Sequence, residues 1–456
     1  MRVTNLNPAD TIGASAWVVE TGGHSILLDA GTHPGKEGRA ALPLYDLAPA
    51  QVEAIAISHC HHDHCGSLPV ALRHFPRARV LMTEASYFLI ERVLHNSVNV
   101  MKRQREERGI AEYPLYHHRE LDELAYLFQG FRFGHEEPWG EMSTPSPTTP
   151  APTLSFHPAG HVLGAAGLRV AHGRESLFFS GDVCFHDQTL TPKADFSKVR
   201  ADVLILETTR GATETPADFT RDAEAKRLID AIGKSLRRGA GVLVPVFALG
   251  RTQEVLAEIA LAMQSGALKR QPVFIGGLGR VFTEIYDHFA GRTPSHRPEL
   301  ILHEALDLQV MEWRHLQNLK PGGQLFVITA GMMSEHTFAH ELALRLAPEE
   351  KHAIHFVGYA APDTPAGRLR AAARGEEFAF TDSGAPLTRN CELQTFDLSA
   401  HANREALLDF ALRLNPRAVI LGHGEPDARD WIEAELRKRA PRMIIHQPAP
   451  GETVEV

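Results

Sequence analysis

A cluster of histidine and aspartate residues early in the chain has the composition of a metal site. His59, His61, Asp63 and His64 follow directly after the apolar residues 54–57. In an extended segment, His59 and His61 project to the same side because they are two residues apart, and Asp63 and His64 follow where the chain turns. This arrangement suits two adjacent ions better than one. Imidazole nitrogens mixed with carboxylate oxygens favour zinc over calcium or magnesium.

Three more candidate ligands occur later in the sequence, each directly after a glycine. They are His161, Asp182 and His423. Glycine allows the backbone to approach closely and allows a ligand to lie on a tight turn. If Asp182 bridges two ions, each ion receives four protein ligands, and a water completes both coordination shells. The two sets are His59, His61, His161 and Asp182 for one ion, and Asp63, His64, Asp182 and His423 for the other.

Composition limits the class of protein without naming a function. The chain has 456 residues and a net charge of −9, so we expect two domains and no indiscriminate binding to polyanions, although a local basic groove can still bind nucleic acid. Four cysteines are too few for a disulfide scaffold, and we expect Cys60, Cys65 and Cys184 to pack beside the ligands rather than bind metal. The sequence has no signal-peptide pattern and no apolar run of about eighteen residues. We therefore expect a cytoplasmic protein that does not enter the membrane.

Short apolar segments that end in polar residues predict the strands that position the ligands. These segments are residues 25–28, 54–57, 176–179, 203–206 and 418–421. Helical spacing at residues 221–238 and 253–263 completes an α/β or layered α+β pattern. Residues 16–29 and 167–182 each predict a hairpin that ends in aspartate, which suggests a duplicated half-fold. Residues 143–153, rich in Ser, Thr and Pro, predict an exposed loop.

The order of these motifs resembles that of the metallo-β-lactamase fold and, within it, of the β-CASP nucleases related to the pre-mRNA cleavage and polyadenylation endonuclease. The resemblance begins with Asp29 in Asp-Ala-Gly and with residues 59–64. Glu207 in Leu-Glu-Thr-Thr, His401 in Ser-Ala-His-Ala and His423 in Gly-His-Gly-Glu resemble the family's motifs A, B and C. Members that cleave RNA carry histidine in motif C. Residues 245–254, 331–333 and 364–367 match the same branch.

The resemblance implies an α/β protein built as a four-layered αββα metallo-β-lactamase sandwich with an inserted α/β β-CASP cap domain. We place the N-terminal part of the sandwich at residues 1–208, the cap at residues 209–385 and the C-terminal part at residues 386–456.

The resemblance also implies a zinc-dependent ribonuclease with two Zn²⁺ per chain that acts in RNA processing or decay. Its substrate would be single-stranded RNA, cleaved by endonuclease action with exonuclease action also open. A hydroxide activated by the two metal ions would attack the phosphodiester and leave 3′-hydroxyl and 5′-phosphate ends. We expect His401, oriented by Glu207, to act as the general acid and Asp63 to serve both catalysis and metal binding. Asp29 would fix the orientation of a ligand histidine.

Three further residues are candidates for substrate contact. They are Arg210, Arg251 and Ser399. Arg251 has the clearest physical reason, because it follows a glycine at a predicted helix start, where helix dipole and guanidinium both attract anions.

Alternative functions stay open. A small-molecule metallo-hydrolase would use the same ligands but would need neither the insertion nor His401. A DNA-directed nuclease would use the same two-metal chemistry. A non-catalytic RNA-binding scaffold is disfavoured, because every ligand position is intact. The sequence also leaves open a homodimer or membership of an RNA-processing complex.

Overall fold

The structure, a computed structural model, describes residues 1–140 and 151–456. The chain forms two compact units. The first comprises Met1–Asp187, Lys193–Thr215 and His401–Val456, and the second comprises Gln188–Pro192 and Pro216–Ala400. The predicted cap, residues 209–385, begins and ends somewhat before the main segment of the second unit. The loop predicted at residues 143–153 lies mostly outside the described residues, and its last residue begins a strand.

Two mixed sheets, each of seven strands in the described residues, make up the centre of the first unit. The strand order of the first sheet is Thr453–Glu455, Arg2–Asn5, Trp17–Thr21, His24–Leu28, Ala54–Ala56, Arg79–Thr83 and Phe128–Phe131. The strand order of the second sheet is Ile444–His446, Ala418–Gly422, Val203–Glu207, Glu175–Phe179, Ala166–His172, Thr153–Pro158 and Glu136–Pro138.

Alternate residues of these strands form one shared core between the two sheets. Trp17 and Ile26 of the first sheet belong to the same buried cluster as Phe156, Leu168 and Ile205 of the second. The period of two along a strand places such residues on one face, and the burial of apolar side chains there stabilises the sandwich. The sheets therefore pack face to face.

Helices cover the outer faces of both sheets. Glu84–Arg108 packs on Arg79–Thr83 and on Phe128–Phe131 of the first sheet, whereas Arg404–Leu414 and Pro426–Arg439 pack on the second. The four layers confirm the predicted αββα sandwich. The remaining helices of this unit are His62–Cys65, Leu68–His74 and His118–Leu124, with 3₁₀ turns at Gly38–Ala41, Tyr45–Leu47 and Ala125–Leu127.

Both predicted hairpins are confirmed. Trp17 pairs with Leu28 in one antiparallel pair of strands, and Leu168 pairs with Phe179 in the other. Each of the five predicted apolar segments contains a strand. Asp29 thus follows the last strand of its hairpin by one residue, and Asp182 follows the last strand of the other hairpin by three.

The second unit contains a parallel sheet of six strands in the described residues. Its order is Leu308–Val310, Val273–Gly276, Leu325–Ile328, Val242–Pro245, Ala353–Phe356 and Glu392–Thr395. Its helices are Arg221–Arg237, Arg251–Gln264, Leu278–Phe289, Leu302–Ala305, Trp313–Leu316, Phe338–Leu346 and Pro365–Ala371. A two-stranded sheet joins Glu377–Phe378 to Leu387–Thr388. This α/β unit corresponds to the inserted domain that the sequence predicts.

Side-chain caps fix where several helices begin. The hydroxyls of Thr83 and Thr220 and the side-chain carbonyl of Asn403 each accept a hydrogen bond from a backbone N–H in the first turn of the helix that follows. Such caps satisfy donors that have no partner within the helix. Within the described residues, none of the helices combines the length and apolar character needed to cross a bilayer.

Candidate metal centre

The seven predicted ligands all lie in the first unit, just beyond the carboxyl ends of its strands. His59 and His61 follow Ala54–Ala56, and Asp63 and His64 lie in the short helix His62–Cys65. His161 follows Thr153–Pro158, Asp182 follows Glu175–Phe179, and His423 follows Ala418–Gly422. Strand direction and sheet order thus bring residues that are distant in sequence to one edge of the sandwich.

The first ligand group contains His59, His61, His161 and Asp182, and one ligand atom from each lies within 4.8 Å of the others. His61 Nδ1 is 3.0 Å from His59 Nε2 and 3.1 Å from His161 Nε2. Asp182 Oδ2 lies 3.6 Å from both His59 Nε2 and His161 Nε2. Four potential metal donors therefore face a common point.

The second ligand group contains Asp63, His64 and His423. Asp63 Oδ2 is 3.9 Å from His64 Nε2 and 3.7 Å from His423 Nε2. The other carboxylate oxygen of Asp182, Oδ1, lies 3.2 Å from His64 Nε2 and 3.3 Å from His423 Nε2. Asp182 thus directs one oxygen to each ligand group, the geometry expected of a bridging carboxylate.

The distances between the donor atoms suit ligands of a shared zinc ion better than hydrogen bonds between the donors. Two donors bound to one tetrahedral zinc at 2.0–2.1 Å are about 3.3 Å apart, close to the separations given above. His64 Nε2 and Asp182 Oδ1 are both buried, and among the described residues neither atom has a well-directed hydrogen bond, although the two lie 3.2 Å apart. An unsatisfied buried polar atom costs about 1–3 kcal/mol. A cation that accepts their lone pairs removes this cost, so the residues present fit the two-zinc expectation.

Electrostatic interactions within the cluster give its carboxylates and imidazoles different pKa shifts. Burial alone would raise the pKa of Asp182, but the imidazoles of His64, His423 and His401 outweigh it and hold the pKa well below its usual range. Burial and the neighbouring His64 lower the pKa of His59 well below its ordinary value. Asp182 is therefore ionised and His59 neutral near pH 7, the forms that bind metal.

Asp29 fixes the orientation of His64. It is fully buried in a left-handed backbone conformation, with φ of 61°. Its Oδ2 lies 2.7 Å from His64 Nδ1 and also accepts hydrogen bonds from the hydroxyls of Ser58 at 2.9 Å and Ser15 at 3.2 Å. Its Oδ1 accepts from the backbone N–H of Ser58 at 2.7 Å. The carboxylate accepts only, so Nδ1 of His64 carries a proton and Nε2 is the nitrogen that faces the second ligand group. Burial alone would lower the pKa of His64, but Asp182, Asp63 and Asp29 outweigh it and raise the pKa, so a metal ion at Nε2 has to displace a proton.

His401 and Glu207 lie beside the first ligand group. His401 Nδ1 is 3.2 Å from Glu207 Oε1, and His401 Nε2 is 3.9 Å from Asp182 Oδ2. Glu207 is buried and also accepts hydrogen bonds from the backbone N–H of Val183 at 3.0 Å and of Thr209 at 2.9 Å. Burial opposes the charge on His401, but Glu207 and Asp182 outweigh it and raise the pKa of His401. With 23% of its side chain exposed, His401 can both hold a proton and reach solvent.

The three predicted substrate-binding residues are divided between the units. Arg210 is half-buried on the turn after Val203–Glu207, in the same unit as the ligand groups. Arg251 and Ser399 belong to the second unit. Arg251 is the first residue of its helix, and the N–H of Ser399 donates to Asp397 Oδ1 at 3.1 Å. Their roles stay predictions.

All three cysteines near the ligands are buried, and in the part of the chain that the structure describes none of them joins a ligand group. Cys60 Sγ donates to the carbonyl oxygen of Ser86 at 3.3 Å, and Cys184 Sγ lies 3.3 Å from the carbonyl oxygen of His186.

Sequence reasoning did not identify Thr208, which secures the turn that carries His423. Its hydroxyl donates to the carbonyl oxygen of Gly422 at 3.1 Å, and a Cβ added at Gly424 would lie 2.0 Å from that hydroxyl oxygen. His423 itself has φ of 48°. The two glycines around His423 were the signal that another part of the backbone approaches closely there.

Comparison with known families covers most of the chain. Residues 9–233 match the metallo-beta-lactamase superfamily, residues 252–369 match the Beta-Casp domain, and residues 386–446 match the Zn-dependent metallo-hydrolase RNA specificity domain.

Several characterised proteins are similar over nearly all of this chain. Endoribonuclease ysh1 of Emericella nidulans is 26% identical over 99% of the chain, which spans 54% of that protein. Transcription termination factor FttA of Thermococcus kodakarensis is 27% identical over 96% of the chain, which spans 69% of that protein. Cleavage and polyadenylation specificity factor 73 of Drosophila melanogaster is 26% identical over 96% of the chain, which spans 62% of that protein. The chain thus spans from about half to about two thirds of the length of these relatives.

A solved structure shows the same fold. The crystal structure of a protein of unknown function from Enterococcus faecalis V583 matches 100% of this chain and 99% of its own, with 14% sequence identity and a TM-score of 0.57.

Proposed function

We propose that this chain, which belongs to the metallo-β-lactamase superfamily and carries a β-Casp domain and a metallo-hydrolase RNA specificity domain, is a metal-dependent ribonuclease that cleaves single-stranded RNA. Its cofactors are two zinc ions. Support for zinc comes from the donors, imidazole nitrogens and carboxylate oxygens at separations that suit tetrahedral coordination.

One observation carries the proposal: Asp182 belongs both to the first ligand group and to a third group with Glu207 and His401, and its other oxygen faces His64 and His423. When bound, a pair of divalent ions supplies an activated water and positive charge beside the scissile phosphate. The pairing of Glu207 with His401 supplies an acid for the leaving oxygen of a phosphodiester. The match of residues 386–446 to an RNA specificity domain favours RNA over a small molecule as the substrate.

His401 is the proton donor in this proposal. The Glu207 carboxylate accepts from Nδ1 and favours the imidazolium, so Nε2 carries the proton that the leaving oxygen takes. Two backbone N–H groups hold Glu207 in place, so the pair is oriented before substrate arrives. Asp63 contributes through the second ligand group.

A cytoplasmic location fits the cysteines. All four of them, Cys60, Cys65, Cys184 and Cys391, are free and buried, as in proteins of reducing compartments.

The proposal is tested with zinc-loaded protein and RNA labelled either at an end or internally, with DNA of the same sequence as a second substrate. We expect internal cleavage of RNA by the wild-type protein. Asp182→Asn should abolish cleavage and release bound zinc, measured by elemental analysis. Asp46→Asn is the matched control, because the Asp46 side chain is 95% exposed. His401→Ala should slow cleavage at least about 100-fold, the contribution of a general acid, and keep both zinc ions.

Full activity of Asp182→Asn would show that the ligand groups take no part in the reaction. Loss of both zinc ions from His401→Ala would show that His401 is a metal ligand rather than a general acid. Cleavage of DNA in preference to RNA would reassign the substrate.

A further inference from the structure

Two aromatic side chains of the second unit are exposed at one edge of its parallel sheet. Phe247 is 41% exposed and Tyr359 is 69% exposed. Phe247 follows Val242–Pro245 by two residues, and Tyr359 follows Ala353–Phe356 by three. These strands are parallel neighbours, with Val242 paired to Ala353. Both residues therefore lie beyond the carboxyl edge of the sheet, after adjacent strands, where ligands bind in open α/β sheets.

The ring of Phe247 is fixed on one face. A Cβ added at Gly331 would lie 3.2 Å from Cδ2 and 3.3 Å from Cε2 of Phe247, so the ring rests against the Gly331 backbone. The carbonyl oxygen of Phe247 accepts from the N–H of Thr252 at 3.1 Å and from its hydroxyl at 2.7 Å. The backbone and one face of the ring are thus held in place, and 41% of the residue remains exposed.

Tyr359 is more exposed, and an arginine contacts the residue before it. Arg370 Nη1 donates to the carbonyl oxygen of Gly358, the residue before Tyr359, at 3.4 Å. In the described residues, neither Tyr359 nor Phe247 contacts another aromatic ring or a cation. Trp313 of the same unit differs, because it stacks on Phe338 with ring centroids 4.4 Å apart. Two exposed rings that follow adjacent strands, with neither ring stacked on another in the described residues, are available to a binding partner.

We propose that Phe247 and Tyr359 form a base platform, on which unpaired bases of the RNA substrate stack. The inference rests on the proposed ribonuclease function and names how that substrate is recognised. Each ring offers a flat face to one base, and Arg370 contributes positive charge for the adjoining phosphate. Stacking on aromatic side chains tolerates any base, because every base has a π face. The platform thus selects unpaired RNA over a duplex, whose bases stack on each other.

RNA bases fit this surface better than a protein partner does. A protein interface has an apolar centre of many side chains, whereas the platform has two rings beside an arginine and the polar backbone of Gly331 and Gly358. The net charge of −9 also means that phosphate attraction alone gives little affinity for RNA. Base stacking supplies affinity that charge cannot.

The experiment compares binding of two fluorescent probes of equal length and charge, a twelve-nucleotide oligoadenylate and the same ribose-phosphate chain without bases. Full-length protein carries Asp182→Asn so that the RNA stays intact. Phe247→Leu and Tyr359→Leu keep apolar volume and remove the rings. Each should weaken oligoadenylate binding about 5- to 100-fold and leave binding of the baseless chain unchanged. Phe247→Tyr should retain the affinity. Tyr126→Leu, at an 81% exposed tyrosine of the first unit, is the matched control and should bind both probes as the parent does.

Unchanged oligoadenylate binding by both leucine variants would overturn the platform, as would equal weakening for both probes, which indicates phosphate contact. Association of a protein at this edge without any change in RNA affinity would also overturn it. Cleavage assays on the variants with Asp182 restored separate the two proposals. Wild-type protein that cleaves no RNA refutes the proposed function, whereas wild-type cleavage equalled by both leucine variants refutes only the platform.

Discussion

Replacing Asp29 with asparagine tests whether the residue behind His64 controls metal binding. The change keeps size and shape, and asparagine tolerates the left-handed conformation that Asp29 adopts. Three donors converge on Oδ2, from His64, Ser58 and Ser15. The two hydroxyls can rotate and accept from the new amide. His64 cannot rotate in this way, so its Nδ1 must lose the proton and accept instead.

That change of tautomer places the proton of His64 on Nε2, the atom that faces the second ligand group. A protonated Nε2 has no lone pair for a metal ion. The alternative amide orientation keeps the tautomer but sets its NH₂ group against the N–H of Ser58, which now donates to Oδ1 at 2.7 Å. Either arrangement loses one hydrogen bond to a charged group, about 1.5–3 kcal/mol. We therefore expect zinc affinity to fall about 10- to 100-fold, the range found for such supporting partners.

The assay is a competition titration of zinc against a chromophoric chelator, with ¹⁵N chemical shifts of the histidines to report the His64 tautomer. Asp195→Asn is the matched control, because the exposed Asp195 carboxylate also accepts hydrogen bonds, from the N–H and hydroxyl of Ser197. Wild-type affinity for zinc in Asp29→Asn, with the tautomer unchanged, would refute the reasoning.

Three further outcomes can be measured separately. Burial lowers the pKa of His355 to about 4, so the folded chain binds fewer protons than the unfolded chain below about pH 6.5, and stability is lost as the pH falls. Leucine at this position does not titrate, so the free energy of unfolding of wild type should fall by about 2 kcal/mol relative to that of His355→Leu between pH 7 and pH 5. Urea unfolding of both proteins at the two pH values measures this, and a difference that does not change with pH would contradict it. Gly424→Ala should displace Thr208 and lower both melting temperature and zinc content, because the added Cβ lies 2.0 Å from the hydroxyl oxygen; a wild-type melting curve would count against it. Glu207→Gln should slow RNA cleavage with KM and zinc content unchanged, since it acts through His401; an effect on KM alone would argue for substrate contact instead.

Local pattern predicted the elements of the sandwich well. Apolar segments such as residues 418–421 have the length and composition of buried strands, and the polar residue that follows each segment is visible in the sequence. Helix Arg251–Gln264 was predicted from apolar spacing within two residues of its observed ends. These features depend on near neighbours in the chain, and so a single sequence is enough to infer them.

Contacts between distant residues could not be inferred in the same way. Gln188–Pro192 belongs to the second unit although residues on both sides of it belong to the first. The carboxylate of Glu254 explains this, because it accepts hydrogen bonds from the backbone N–H groups of Thr189, Leu190 and Thr191. No periodicity in residues 188–192 indicates such a partner. The exposure of Phe247 could not be predicted from the sequence either, because it depends on how the distant residue Gly331 packs against the ring.

The ligand set is drawn from both sides of the segment Pro216–Ala400. During translation, the ribosome therefore has to synthesise this whole segment before His401 and His423 emerge. A nascent chain that has reached residue 400 holds six of the seven proposed ligands and lacks both His423 and His401. Under the proposed ribonuclease function, the site is thus completed only after the whole second unit has been synthesised.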